Sequence, residues 1–333
     1  MAELEVPHPR ETFELIGHEA AEVAFEAARA RGRLHHAWLL TGPEGVGKAT
    51  FAYRAARRLL GAPADGDPGR LGSDPAHPVS RQVLNRAHPD LLVLDRTAED
   101  GKPRKTIPVD EARRLSEFFS KTPASAPHRV AIVDAADDLN ANAANALLKT
   151  LEEPPTRGVL LLVAHSPGRL LPTIRSRCRR LAFMPLSLED AAGFVSARMD
   201  VTAEDALRLA RMAHGAPGRA LALGAAEAIA LDDAAREIVA QLPQLDEALA
   251  LSLADRFRGG EGAGQFALLL ERLAERVRTL VTEAAIHGQG GLDRWAQAWE
   301  TLQRLPREVE ALNLDRTDAL FAALRELRQA ARA

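Results

Sequence analysis

A parallel-sheet α/β domain, followed by a small helical lid and an all-α C-terminal region, is the fold class that the sequence predicts. Three observations predict it. Short continuous apolar runs alternate with helix-period segments through the first half, a glycine-rich loop ending in lysine joins one such run to a helix, and beyond Pro185 the strand-like runs stop. Continuous rather than alternating apolar runs mean strands covered on both faces, hence a parallel sheet flanked by helices.

Each element follows in order. A helical period over about 12–31 leads into the apolar run Ala37–Leu40, closed by Thr41-Gly42-Pro43. A helix follows from Lys48 to Leu60, with Phe51, Ala55 and Leu59 on one face. The stretch GAPADGDPGRLGSDPAHP has no periodicity and reads as a loop or an insertion. Leu91–Leu94 is a short buried strand, Val109–Phe119 a helix, and Val130–Val133 a third strand ending in Asp134. Asn140–Leu151 is helical, Gly158–Val163 is a fourth strand and Arg180–Phe183 a fifth. Leu188–Leu223 reads as short helices broken at Gly215–Gly218. From Ile229 to Ala333 the chain is helix-periodic, interrupted at Gly259-Gly260 and at Gly288–Gly291. The expected domains are therefore 1–185, 186–228 and 229–333, in keeping with roughly 150 residues per domain or fewer.

Composition narrows the function classes. There are 43 Lys and Arg against 46 Asp and Glu, a net charge of −3, which argues against affinity for nucleic acid through whole-chain charge. A single cysteine excludes an intramolecular disulfide framework and a multi-cysteine zinc cluster. The first residues carry acids and no apolar core, so no secretory signal is expected, and no run approaches a membrane span. A cytoplasmic protein is the expectation.

Gly42-Pro43-Glu44-Gly45-Val46-Gly47-Lys48 follows a strand and opens a helix, the context that a phosphate loop requires. Its glycines let backbone N–H groups converge on phosphate oxygens, the helix N-terminus adds positive potential, and Lys48 reaches the outer phosphates. Yet the next position, where a Ser or Thr hydroxyl would hold Mg²⁺, is Ala49. Thr50 lies one residue later, about 100° round the helix, and does not replace it cleanly. Asp134 could hold the Mg²⁺ shell in Walker B fashion, but the residue after it, where a water-polarising glutamate would stand, is Ala135. Asp137 and Asp138 are expected to cap the next helix. Two alternatives stay open for the loop: weak binding of nucleotide, or a turn kept for its shape. Thr173-Ile174-Arg175-Ser176-Arg177-Cys178-Arg179-Arg180 places four arginines in six residues beyond the fourth strand. Such a run is a basic nucleic-acid patch, or it offers an arginine to a neighbour's γ-phosphate, worth about 10³–10⁵ in rate.

Three stretches together, LHHAWLLTGPEGVGKAT, VAIVDAADDLNANAANALLKTLEEPP and LLLVAHSPGRLLPTIRSRCRRLAF, resemble the AAA+ clamp-loader subunits of bacterial DNA polymerase III. The resemblance is strong from about Leu34 to Phe183 and weakest in the helical C-terminal third. It implies an AAA+ module in a five-subunit ring with tau/gamma and delta subunits, the C-terminal helices forming a collar. It also implies a part in loading the sliding clamp on primer-template DNA during replication, at the nucleoid, within the DNA-directed DNA polymerase assembly. Arg177, in the Ser176-Arg177-Cys178 triplet, would act in trans as an arginine finger on ATP held next door. The residues carried over to a degenerate nucleotide site are Gly42, Gly45, Val46, Gly47, Lys48, Ala49, Thr50 and Asp134. Ala49 and Ala135 depart from the ATP-hydrolysing tau/gamma pattern. So does the lid, where Gly218 stands at the ATP-sensing arginine position, with Arg219 one residue later. A stator-like subunit without intrinsic catalysis is expected, needing no cofactor and binding ATP or ADP weakly at most. The alternative is an active tau/gamma-type ATPase. Relatives carry a four-cysteine zinc module where this chain, over about Gly61–Pro89, has no cysteine, so no zinc and no other metal is expected.

Overall fold

The computed structural model of the chain describes residues 6–66, 69–97, 102, 104–259, 262–288 and 291–332. Regular structure runs α1 (Glu19–Ala30), β1 (Ala37–Thr41), α2 (Lys48–Leu59), α3 (Pro78–Leu84), β2 (Leu91–Asp95), α4 (Val109–Phe119), β3 (Arg129–Asp134), α5 (Ala141–Glu152), β4 (Gly158–Ala164), α6 (Pro172–Ser176) and β5 (Arg179–Ala182). The five strands form one parallel sheet in the order β2-β3-β4-β1-β5. The continuous apolar runs are explained by its two covered faces. Trp38, Leu40, Ile132, Leu161 and Val163 face Phe25 of α1 and Phe51, Ala55 and Leu59 of α2. Leu39, Ala131, Val133, Leu160 and Leu162 face Leu115 of α4, Leu147 and Leu151 of α5, and Ile174 of α6.

Three expectations need correction. The helical period over 12–31 becomes a helix only from Glu19. Gly17 turns at φ +72, and the segment before it is a strap held by α2: Arg54 donates to the Phe13 carbonyl, and Arg57 to that of Arg10. The Arg57 guanidinium also lies 4.0 Å over the Phe13 ring. The run Leu91–Leu94 is an edge strand, in which only Leu94 is fully buried, because among the described residues β2 pairs with β3 alone. Asp137 and Asp138 do not cap α5. The chain first makes a short 3₁₀ turn over 136–138, so the cap falls to Asn140, whose side-chain oxygen accepts from Ala143 N at 2.8 Å. Within the cysteine-free stretch the short helix α3 is formed, with Pro78 in its first turn.

Beyond the sheet the chain is helical: α7 (Leu188–Ser196), α8 (Ala203–Met212), α9 (Pro217–Ala225), α10 (Ala228–Gln241), α11 (Glu247–Arg256), α12 (Gly262–Ile286), α13 (Asp293–Leu312) and α14 (Arg316–Ala330). Ser187 and Thr202 cap α7 and α8 through their hydroxyls. Two compact units divide the chain, Glu5–Leu221 and Ala222–Ala333, so the stretch 186–228 expected as a lid divides at Leu221. Within its first part Leu186 N donates to Gly215 O at 2.9 Å, and that part is tied to the α/β domain by Gly218 N donating to Gly45 O at 2.8 Å. The second unit has its own core, with Leu231, Ile238, Phe266, Leu269, Leu273 and Leu320 buried. No helix among the described residues is long and apolar enough to cross a membrane.

Candidate functional site

Parallel strands bring their C-terminal ends to one side of the sheet, where α/β folds carry their ligands. Thr41 pairs with Ala164 and Asp134 with Val163, so the loop after β1, Asp134 and His165 gather on that side. Gly45 and Gly47 take φ +74 and +111, conformations that a side chain would strain. Gly47 stands at the N-cap of α2, so no side chain satisfies the first amides of that helix. The first amides of α2 are thus left without a side-chain acceptor, as they are in loops that cradle anions.

Its lysine is turned inward. Lys48 is buried, and its Nζ donates to the carbonyls of Gly42 and Pro43, each at 2.6 Å. Burial brings its pKa down to about 8, against the opposing pull of Asp134. Burial also pushes Asp134 up to about 6, although Lys48 favours its ionised form. Ala49 leans on the core beneath the sheet, and Thr50 follows half-buried on α2. Val46 is buried, and its carbonyl accepts from Nε2 of the buried His18 at 2.8 Å.

Neighbouring groups close the loop from other sides. Gly218, at the start of α9, donates its N–H to Gly45 O, and a Cβ added at Gly45 would collide with the backbone of Arg219. Asp137 Oδ2 accepts from His165 N at 2.6 Å and Ser166 N at 2.9 Å, binding the end of β3 to the end of β4. Asp138 pairs with Arg96 at 3.1 Å. Among the described residues no set of three or more His, Cys, Asp or Glu is gathered for a metal ion.

The arginine run lies elsewhere, on α6 and β5. Arg177 is the C-cap residue of α6, about one third exposed; its Nη1 donates to Thr173 O at 3.1 Å and its Nη2 meets Glu152 Oε1 at 3.0 Å. Beside it the half-buried Cys178 touches the core, and burial pushes its thiol up to about 12. Arg179 lies 4.8 Å over the Trp38 ring, and Arg180 Nε donates to Thr41 Oγ1 at 3.0 Å. Loop and acid, Gly42 through Thr50 with Asp134, are therefore brought together, and Arg177 is set apart from them. Sequence reasoning missed His18, His165, the Gly218–Gly45 bond and Glu152. The Gly17-His18 break before an acidic helix start was a signal for the first, and the other three carried none.

Residues 17–187 match the protein family described as DNA polymerase III, delta subunit. Over 188 residues the chain is 37% identical to the DNA polymerase III subunit delta' of Pseudomonas aeruginosa, covering 56% of this chain and 55% of that protein. Over 198 residues it is 34% identical to subunit delta' of Escherichia coli, covering 59% and 57%. Subunit tau of Escherichia coli is 30% identical over 290 residues, covering 84% of this chain and 41% of tau. The matches span about half the length of these curated relatives. Among solved structures, a DNA polymerase III gamma subunit-related protein of Thermotoga maritima matches with a TM-score of 0.46 at 19% identity, covering 93% of this chain and 100% of that one.

Proposed function

The chain belongs to the DNA polymerase III delta-subunit family, with delta' proteins among its relatives, and on that premise we propose that it is a clamp-loader stator that does not itself hydrolyse ATP. In this reading it joins tau/gamma and delta subunits in a pentameric ring through its C-terminal helices. It helps the ring to place the sliding clamp on primed DNA, and it lends Arg177 in trans to ATP held by a neighbour. One observation carries the reading. At the two positions where hydrolysis needs oxygen, a metal-holding hydroxyl and a water-polarising carboxylate, the chain has the methyl groups of Ala49 and Ala135. The inward-turned Lys48 supports it, since its ammonium is already engaged by Gly42 and Pro43.

The isolated chain is expected to show no ATP turnover; robust turnover would sink the reading and favour the tau/gamma-type ATPase. In a reconstituted loader, Arg177→Ala is expected to leave the chain folded and to reduce DNA-stimulated turnover strongly, because a planar guanidinium stabilises charge that builds on the γ-phosphate. Calorimetry with ATP and Mg²⁺ on the purified chain measures what affinity the loop keeps, expected to be weak or nil.

A further inference from the structure

Glu152 lies at the last position of α5, where a carboxylate faces the negative end of the helix dipole and is disfavoured. Its oxygen meets Arg177 Nη2 at 3.0 Å, so the cation across from it offsets that misplacement. A guanidinium has five N–H donors in a fixed plane. Among the described residues the Thr173 carbonyl takes one on Nη1 and Glu152 takes one on Nη2, which leaves Nε–H and one N–H on each terminal nitrogen for another acceptor. The backbone beneath is pinned on both sides. Ile174 is fully buried against the sheet, Arg177 N donates to Ile174 O at 3.2 Å, and Cys178 rests on the same core. Rotation of the arginine side chain is therefore the main freedom left, and two partners restrict it.

We propose that Glu152 is the positioning residue of Arg177: with the Thr173 carbonyl it holds the guanidinium plane so that the remaining donors face an anionic phosphate presented by a neighbouring subunit. The inference rests on the finger reading above. Glu152 touches no nucleotide; it acts through the arginine by removing rotamer freedom before the phosphate arrives. Because the pair is partly exposed, with 37% and 52% of the two side chains accessible, its effect is modest.

The test uses the reconstituted loader and reads kcat and KM for ATP, with thermal unfolding of each variant chain as a control. Arg177→Ala sets the floor. Glu152→Ala is expected to lower kcat at the interface that Arg177 serves by about two- to fivefold, toward that floor, with KM and assembly unchanged. Glu152→Gln keeps an acceptor and is expected to recover a good part of the loss. If Glu152→Ala turns over as fast as the parent or faster while Arg177→Ala is crippled, the positioning role is overturned and the finger stands. A Glu152→Ala loss that appears only as lowered melting or failed assembly overturns it too. If Arg177→Ala itself matches the parent, the finger reading falls, and this inference with it.

Discussion

Cys178 shows burial setting the chemistry of one residue. Its thiol, ordinarily near 9.0, is pushed up to about 12 by burial. At pH 8 the folded chain therefore holds about 10³-fold less thiolate than the unfolded chain. Iodoacetamide is expected to alkylate it two to three orders of magnitude more slowly in buffer than in denaturant; equal rates would contradict the burial. The linkage sign follows from a raised folded-state pKa. Above pH 9.0 the unfolded chain releases a proton that the folded chain keeps, so this stabilisation is complete below pH 9.0 and declines as pH rises toward 12. At this scale the sequence was legible where chemistry depends on adjacent positions. Ala49 beside Lys48, Ala135 beside Asp134 and Arg177 beside Cys178 needed no tertiary structure to be noticed. Glu152 did, because its meeting with Arg177 depends on how α5 lies against α6.

Among the elements, the strap before α1 and the loop before α2 depend on different physics. Glu22 of α1 is fully buried and holds Arg54 at 2.7 Å and also Arg70. Glu22→Ala leaves buried guanidinium charge without its carboxylate, and a loss of about 3–5 kcal/mol in urea unfolding is expected. Asp110→Ala, which breaks an exposed i,i+3 pair with Arg113, is expected to cost less than about 1 kcal/mol. Glycines separate in the same way. Gly32 turns at φ +64 with nothing near its missing Cβ, so Gly32→Ala costs backbone strain alone, about 1–2 kcal/mol. Gly45→Ala adds a collision with the Arg219 backbone to similar strain, and its denaturation midpoint is expected to fall further; a smaller fall than for Gly32→Ala would show that α9 yields. Helix period located α2, α4 and α5 within a residue or two. It overran at 12–18, where Gly17 and the arginines of α2 decide the path, and no periodicity reports a partner forty residues away.

For the whole molecule, two units with separate cores predict separable responses. Leu161→Ala removes a fully buried side chain of the sheet, and Leu273→Ala one of α12. Each is expected to cost about 2–5 kcal/mol, read by hydrogen exchange as lost protection within its own unit. Protection lost equally in both units from either change would mean that they unfold as one. The parallel sheet was legible from its apolar runs because both faces are covered; strand order was not, since β1 lies between β4 and β5 only through crossovers that leave no local trace. One consequence concerns the protein in company rather than alone. Among the described residues β5 bonds to β1 on one side only, so its other side is a row of backbone donors and acceptors of the kind that recruits stray strands. Arg179 and Arg180 stand exposed on that rim, so an approaching copy must bury two positive charges against two more. Arg179→Ser combined with Arg180→Ser is therefore expected to raise self-association of a concentrated solution of this chain, read by light scattering, and unchanged scattering would show that the two charges do not guard the edge.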